Sequence, residues 1–215
     1  MHLNVEEALR CVKSEYGSGK KLAEKIREMA EQYDEPLLLY LDLIRTFSGI
    51  KEVGDKIANA IINEIGGEPS LFKNCKKDLQ NLFAERWFRN LFLASTLNIM
   101  IDTHVRKFFE KKLGMKQIDK SLLIIIARYI DKKLIEEVFN YSYCWAINEY
   151  FEKEEIKKFL ENYYEYIGAS LLEKIIWKTQ FVKANAKKEV KKFMEEHESF
   201  SLFFCEDESQ EKGEN

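Results

Sequence analysis

Glycine and proline are scarce in this chain of 215 residues, with nine Gly and two Pro. Turn chemistry is correspondingly sparse, which excludes a β-sandwich or barrel assembled from many short strands. The cysteines Cys11, Cys75, Cys144 and Cys205 stand about sixty residues or more apart, so no CxxC or similar spacing offers zinc or an iron–sulfur cluster a ligand set. Nothing suggests a secreted disulfide framework either; free thiols in a reducing cytosol are the simplest reading. His2 and His197 have no ligand pattern around them, and neither a metal nor a cofactor is expected. The longest apolar run, Leu122 to Ala127, is far too short to cross a bilayer, and the opening MHLNVEEALR lacks the apolar core of a signal sequence. The expectation is a soluble cytoplasmic protein that makes no membrane contact.

What the chain does contain is helix-forming material, 46% apolar and 33% charged. Disorder over most of its length is excluded by that balance. Lys, Glu and Ile are abundant while Gln is rare, a bias found in proteins from hot environments. The formal charge of -3 is unevenly spread. Residues 205–215, CEDESQEKGEN, carry a net -4 and leave residues 1–204 at +1. An overall acidic balance argues against a nucleic-acid partner; a near-neutral body with an acidic, disordered tail does not.

Apolar spacing at three and four residues recurs from end to end. It predicts an all-α protein, with helices over about 4–15, from Ser18 to Tyr33, and from Pro36 through Phe47, the last mostly apolar and buried. Further helices are expected over 55–65, as two segments within 70–100, from Asp102 to Gly114, and over about 120–131, 133–151, 153–167 and 169–198. No fixed-period repeat and no long linker is visible. One helical domain over 1–204 is expected, with two lobes meeting near residue 115 as the variant arrangement.

Two short segments stand out. Residues 49–60, GIKEVGDKIANA, have the pattern of a tight hairpin between helices, within a helix-hairpin-helix spanning 37–66. Ile50 and Val53 would point inward. Gly54 would allow close approach of a phosphate, which the N–H groups and dipole of the next helix would then bind irrespective of base sequence. Gly49, Lys51, Val53, Gly54 and Asp55 are the candidate DNA-binding residues of this turn; Glu52 stands where such hairpins usually carry their first Gly. The second segment, Ile101-Asp-Thr-His-Val105, places an acid at the start of an amphipathic helix.

In order, IKEVGDKIA and IDTHV resemble the LPGVGxKTA and VDTHV motifs of the helix-hairpin-helix superfamily of DNA base-excision glycosylases, which includes endonuclease III-like and 8-oxoguanine glycosylase-like enzymes. The resemblance covers roughly residues 20–66 and 98–113. It implies that Lys56 is the catalytic lysine and Asp102 the catalytic aspartate of a bifunctional glycosylase and apurinic/apyrimidinic lyase. The partner would be double-stranded DNA carrying a damaged base or abasic site, met by a monomer near a prokaryotic nucleoid. The interval from Lys56 to Asp102 exceeds that of the best-known members and implies an inserted helix or two.

Chemistry follows from those two positions. A flipped nucleotide would present C1′ to Lys56, whose neutral amine displaces the base and forms a Schiff base. A first-turn lysine faces the positive end of a helix dipole, and burial adds a desolvation penalty; both lower its pKa toward the neutral amine. Asp102 would stabilise positive charge on the sugar and assist proton transfers. A lysine nucleophile suits the oxidised-base members of the family.

His104, Trp87, Tyr141 and Trp145 are candidates for a base pocket, the aromatics by stacking, although such clusters more often form helical core. The basic run 183–192 could follow a phosphate backbone or simply be a solvated face. Gly17-Ser-Gly-Lys20 lacks the P-loop frame and a preceding strand, and reads as a helix entry. Two further readings stay open: a non-enzymatic helix-hairpin-helix DNA-binding or scaffolding protein in which Lys56 only contacts phosphate, and a helical interaction protein without a nucleic-acid role.

Overall fold

The computed structural model describes residues 20–48, 59, 62 and 76–181. Among these the secondary structure is helical throughout, with no strand. The elements are α1 (Lys20–Gln32), α2 (Pro36–Ser48), α3 (Lys76–Ala84), α4 (Arg86–Thr96), α5 (Thr103–Leu113), α6 (Lys120–Ala127), α7 (Lys132–Tyr150) and α8 (Lys153–Phe181). Asn59 and Ile62, also helical, are buried. Most of the hairpin segment, the first helix expected over 4–15, the basic run 183–192 and the acidic tail lie outside the described residues.

Short polar side chains start three of the helices. The Asp102, Asp119 and Asp131 carboxylates cap α5, α6 and α7, each accepting from backbone N–H groups two or three residues on. Gly114 ends α5 in the left-handed region (φ 66), where its N–H donates to the Glu110 carbonyl and the Met115 N–H to that of Phe109. That bond pair is a Schellman closure, and glycine tolerates the positive φ without strain.

Packing is organised around two helices. In the first half α1, α2 and α3 lie against α4; in the second, α5, α6 and α7 lie against α8. The buried apolar residues form one continuous core across both. Its aromatic centre is Phe83, which stacks on Tyr150 at 4.3 Å and meets Phe88 and Phe92 edge-on at 5.0 and 5.4 Å. Two helices, α3 and α4, occupy the interval before Asp102.

Two expectations are corrected. The third helix is not buried all round: Leu39, Tyr40, Leu43 and Phe47 face the core, whereas Leu38 and Leu41 are about half exposed because α2 packs on one side only, against α4 and α1. Nor does a break at Gly168 divide 153–167 from 169–198. Helix α8 runs through Gly168, and its irregularity falls at Tyr163 (φ -127, ψ 19), whose hydroxyl donates to Glu35 in the turn before α2. Gly168 marks a close approach instead. A Cβ there would lie 2.8 Å from Ile135 Cδ1 and 3.0 Å from Ala127 Cβ, so the missing side chain lets α8 seat against α6 and α7.

Replacing Gly168 by Val should therefore destabilise the fold by about 2 kcal/mol, the overpacking cost outweighing any gain in helix propensity. Chemical denaturation measures this; an unchanged or raised midpoint would contradict the close approach.

Candidate functional site

The peptide leading to Asp102 is held from several directions. Between α4 and α5 the chain leaves helix over residues 97–102, and Leu97, Asn98 and Ile99 are buried there. Buried backbone outside helix needs partners, and two helices supply them. From α2, the Tyr40 hydroxyl accepts the Ile99 N–H at 3.3 Å. From α8, Ser170 Oγ donates to the Asn98 carbonyl at 2.8 Å, Lys174 Nζ approaches the same carbonyl at 3.5 Å, and Glu173 accepts the Met100 N–H. The Asn98 side chain completes the set by donating to the Asn59 carbonyl at 2.9 Å.

Asp102 emerges from this clamp half-buried. Its Oδ1 accepts the N–H groups of His104 and Val105, both at 2.8 Å, so a single oxygen carries the cap. Beyond it, Arg106, Lys107, Lys111 and Lys112 are exposed along α5, with Glu110 as the one exposed acid of the helix. Lys111 and Lys112 also suit the negative end of the helix dipole; Arg106 and Lys107, in the first half, gain nothing from it.

Lys120, half-buried at the start of α6, joins the clamp to Asn59. Its ammonium donates to the Tyr40 hydroxyl and to Asn59 Oδ1, each at 3.1 Å, and stands 5.5 Å from the centre of the Tyr40 ring. Burial, opposed by the Ile99 N–H, pushes Tyr40 up to about 12. Glu173 is the unusual member, only 2% exposed. Desolvation lifts its carboxyl to about 7 despite the opposing pull of Lys174, the Met100 N–H and Lys120, and the Asp102 carboxylate adds to the rise. Its Oε2 has no hydrogen-bond partner among the described residues.

The residues selected from sequence are only partly brought together. Asp102 and His104 share the α5 start. Lys56, Gly49, Lys51, Val53, Gly54 and Asp55 lie outside the described residues. Trp87 is buried, edge-on to Phe88, with the Arg27 guanidinium 5.7 Å from its ring centre. Trp145 packs against Phe92 and Phe83 at 5.7 and 6.3 Å. Both indoles thus belong to the aromatic core, whereas Tyr141 is 76% exposed. Reading by local motif passed over Tyr40, Asn59, Asn98, Lys120, Ser170 and Glu173, which come from five stretches of chain. One signal was available in Glu173, an acid between Leu171, Leu172, Ile175 and Ile176 on a helix.

A cleft of about 360 Å³ lies elsewhere, bordered by the turn before α2, the start of α4, and α8. Its charges are matched internally: Arg86 with Asp34 at 2.6 Å, Arg89 with Glu155, and Tyr163 with Glu35. None of the Asp102 neighbours lines it. Volume favours this cleft; the buried, incompletely satisfied carboxylate favours the Asp102 region, and the second is the stronger mark of a site. Among the described residues no cluster of His, Cys, Asp or Glu is arranged to hold a metal, and no helix is long and apolar enough to cross a membrane. The chain matches no protein-family model, no curated protein and no solved structure.

Two measurements follow. Asp102→Ala should cost about 1 kcal/mol of stability through loss of the cap, while Asp102→Asn, which keeps an accepting oxygen, should cost only a few tenths, roughly; equal losses in denaturant unfolding would refute the capping role. Because Glu173 binds its proton more tightly folded than unfolded, stability should fall as pH rises from about 4.5 to about 7, by on the order of 3 kcal/mol at most. In Glu173→Gln that slope should flatten and stability at neutral pH should rise.

Proposed function

We propose that the chain is a helix-hairpin-helix DNA base-excision enzyme, a glycosylase with abasic-site lyase activity in which Lys56 is the nucleophile and Asp102 its carboxylate partner. The observation that carries this reading is the hydrogen bond between Asn98 and Asn59. Asn98 stands four residues before Asp102, and Asn59 three after Lys56. Across three and four peptides Cα atoms separate by at most about 11 and about 14 Å, so the two motifs, distant in sequence, are tethered to one buried contact. A resemblance resting on order alone acquires spatial support from that contact.

The basic side of α5 supports a polyanionic partner. Arg106 and Lys107 follow Asp102 by one turn, where they would neutralise phosphates flanking an extruded nucleotide. The body of the protein is near neutral in sum, so such a face is a local arrangement rather than a consequence of composition.

In the reaction the Lys56 amine attacks C1′ of the flipped nucleotide as the bond to the base breaks, and the departing base takes up a proton. Ring opening leaves an iminium between lysine and sugar; loss of a C2′ proton then expels the 3′ phosphate, and water releases the enzyme. The Asp102 carboxylate opposes positive charge developing on the sugar. An oxidised purine is the substrate class that a lysine nucleophile fits.

Borohydride trapping on a duplex containing an abasic site tests the reading. A covalent adduct should form, disappear in Lys56→Gln and form about a hundredfold more slowly in Asp102→Asn. Absence of an adduct from about pH 6 to 9 would remove the lyase activity and leave a binding protein. In the same duplex, neutralising Arg106 and Lys107 together should lower the salt dependence of binding by about two phosphate contacts.

A further inference from the structure

Glu173 is the buried charge that this chemistry does not use. It reaches from α8 to accept the Met100 N–H, two residues before Asp102. A glutamine could accept the same N–H without a desolvated charge, and an oxygen without a partner among the described residues costs stability that a simple anchor need not incur. Among the described residues, the charged and titratable groups facing it are Lys174 on its own helix, Asp102 at the head of α5, Lys120 on α6 and Tyr40 on α2. An acid in those surroundings responds to, and acts upon, the residue at the end of the clamped peptide.

We propose that Glu173 is a positioning residue for Asp102, a buried acid that fixes the Met100–Asp102 peptide by its hydrogen bond and alters the setting of the Asp102 carboxylate when it gains or loses a proton. The inference rests on the reading of Asp102 as the working carboxylate of the site. With the proton on Glu173, Asp102 holds the only negative charge of the pair. When the proton leaves, two carboxylates oppose each other in a desolvated region, and Lys120 and Lys174 are drawn toward Glu173. Lys120 is also the donor to Tyr40 and Asn59, so the same event pulls on the contacts that tie the two motifs together. Burial places this exchange near neutral pH rather than in the acid range of an ordinary glutamate.

The test uses the full chain, ¹³C- and ¹⁵N-labelled, with the Glu173 carboxyl and the Met100 amide followed by NMR from about pH 5 to 9. The Glu173 midpoint should lie near 7 and move down in Asp102→Asn. In the unsubstituted chain the Met100 amide should shift with the same midpoint; in Glu173→Gln it should lose that response. A midpoint indifferent to Asp102→Asn, or a Met100 amide indifferent to pH, overturns the proposal. Borohydride trapping run in parallel should show a step at the Glu173 midpoint that is absent in Glu173→Gln. If no adduct forms at any pH the lyase reading falls, while the carboxyl titration still decides whether Glu173 and Asp102 are coupled.

Discussion

A peptide that leaves helix inside a helical core needs partners for its buried N–H and carbonyl groups, and residues 97–102 draw on side chains from α2 and α8. Tyr40, Ser170, Lys174 and Glu173 meet the backbone, and Asn98 reaches to Asn59. The relative placement of α2, α5, α6 and α8 depends on this set of bonds, because a shift of any one of them would orphan a buried polar group. Apolar packing brings the two halves of the core together; the polar clamp fixes their register at the point where Asp102 leaves it.

Such a clamp is an inefficient way to gain stability alone. Apolar side chains of similar volume would fill the space without desolvating a carboxylate and two ammonium groups. Its usefulness is precision: a half-buried acid at the end of a peptide fixed from several sides has little freedom to move. The cleft beside α4 and α8 contrasts with it, since there the charges cancel in pairs, of which the exposed Arg86–Asp34 pair is worth little.

The helical class was legible from periodicity, and both ends of α5 from local signals, the Asp cap at 102 and the glycine at 114; the helix expected over 120–131 ends instead at Ala127, and Asp131 caps α7. Gly168 misled, since a glycine chosen for close packing looks the same in sequence as one chosen to end a helix. Trp145 was ambiguous for a related reason, as an aromatic positioned to meet a base and one positioned to meet Phe92 carry the same spacing. Of the residues around the clamp, Asp102 was legible as the start of a helix. Lys120 and Glu173 were not, because their significance lies in partners 61 residues away for Lys120 with Asn59, and across the α5 junction for Glu173. Periodicity reports which face of a helix is buried; it does not report which buried polar groups meet.

The cap at Asp102 uses one oxygen of the carboxylate, since both helix N–H groups fall on Oδ1. Asn, Ser or Thr could perform that half of the work and keep α5 intact. Only an acid offers a second anionic oxygen beside it. In descendants of this chain, neutral drift confined by folding alone would admit all four residue types at position 102, whereas selection on the chemistry would hold it to Asp. Under the proposed chemistry, the identity of that one residue across a lineage would record the loss of activity separately from the loss of structure.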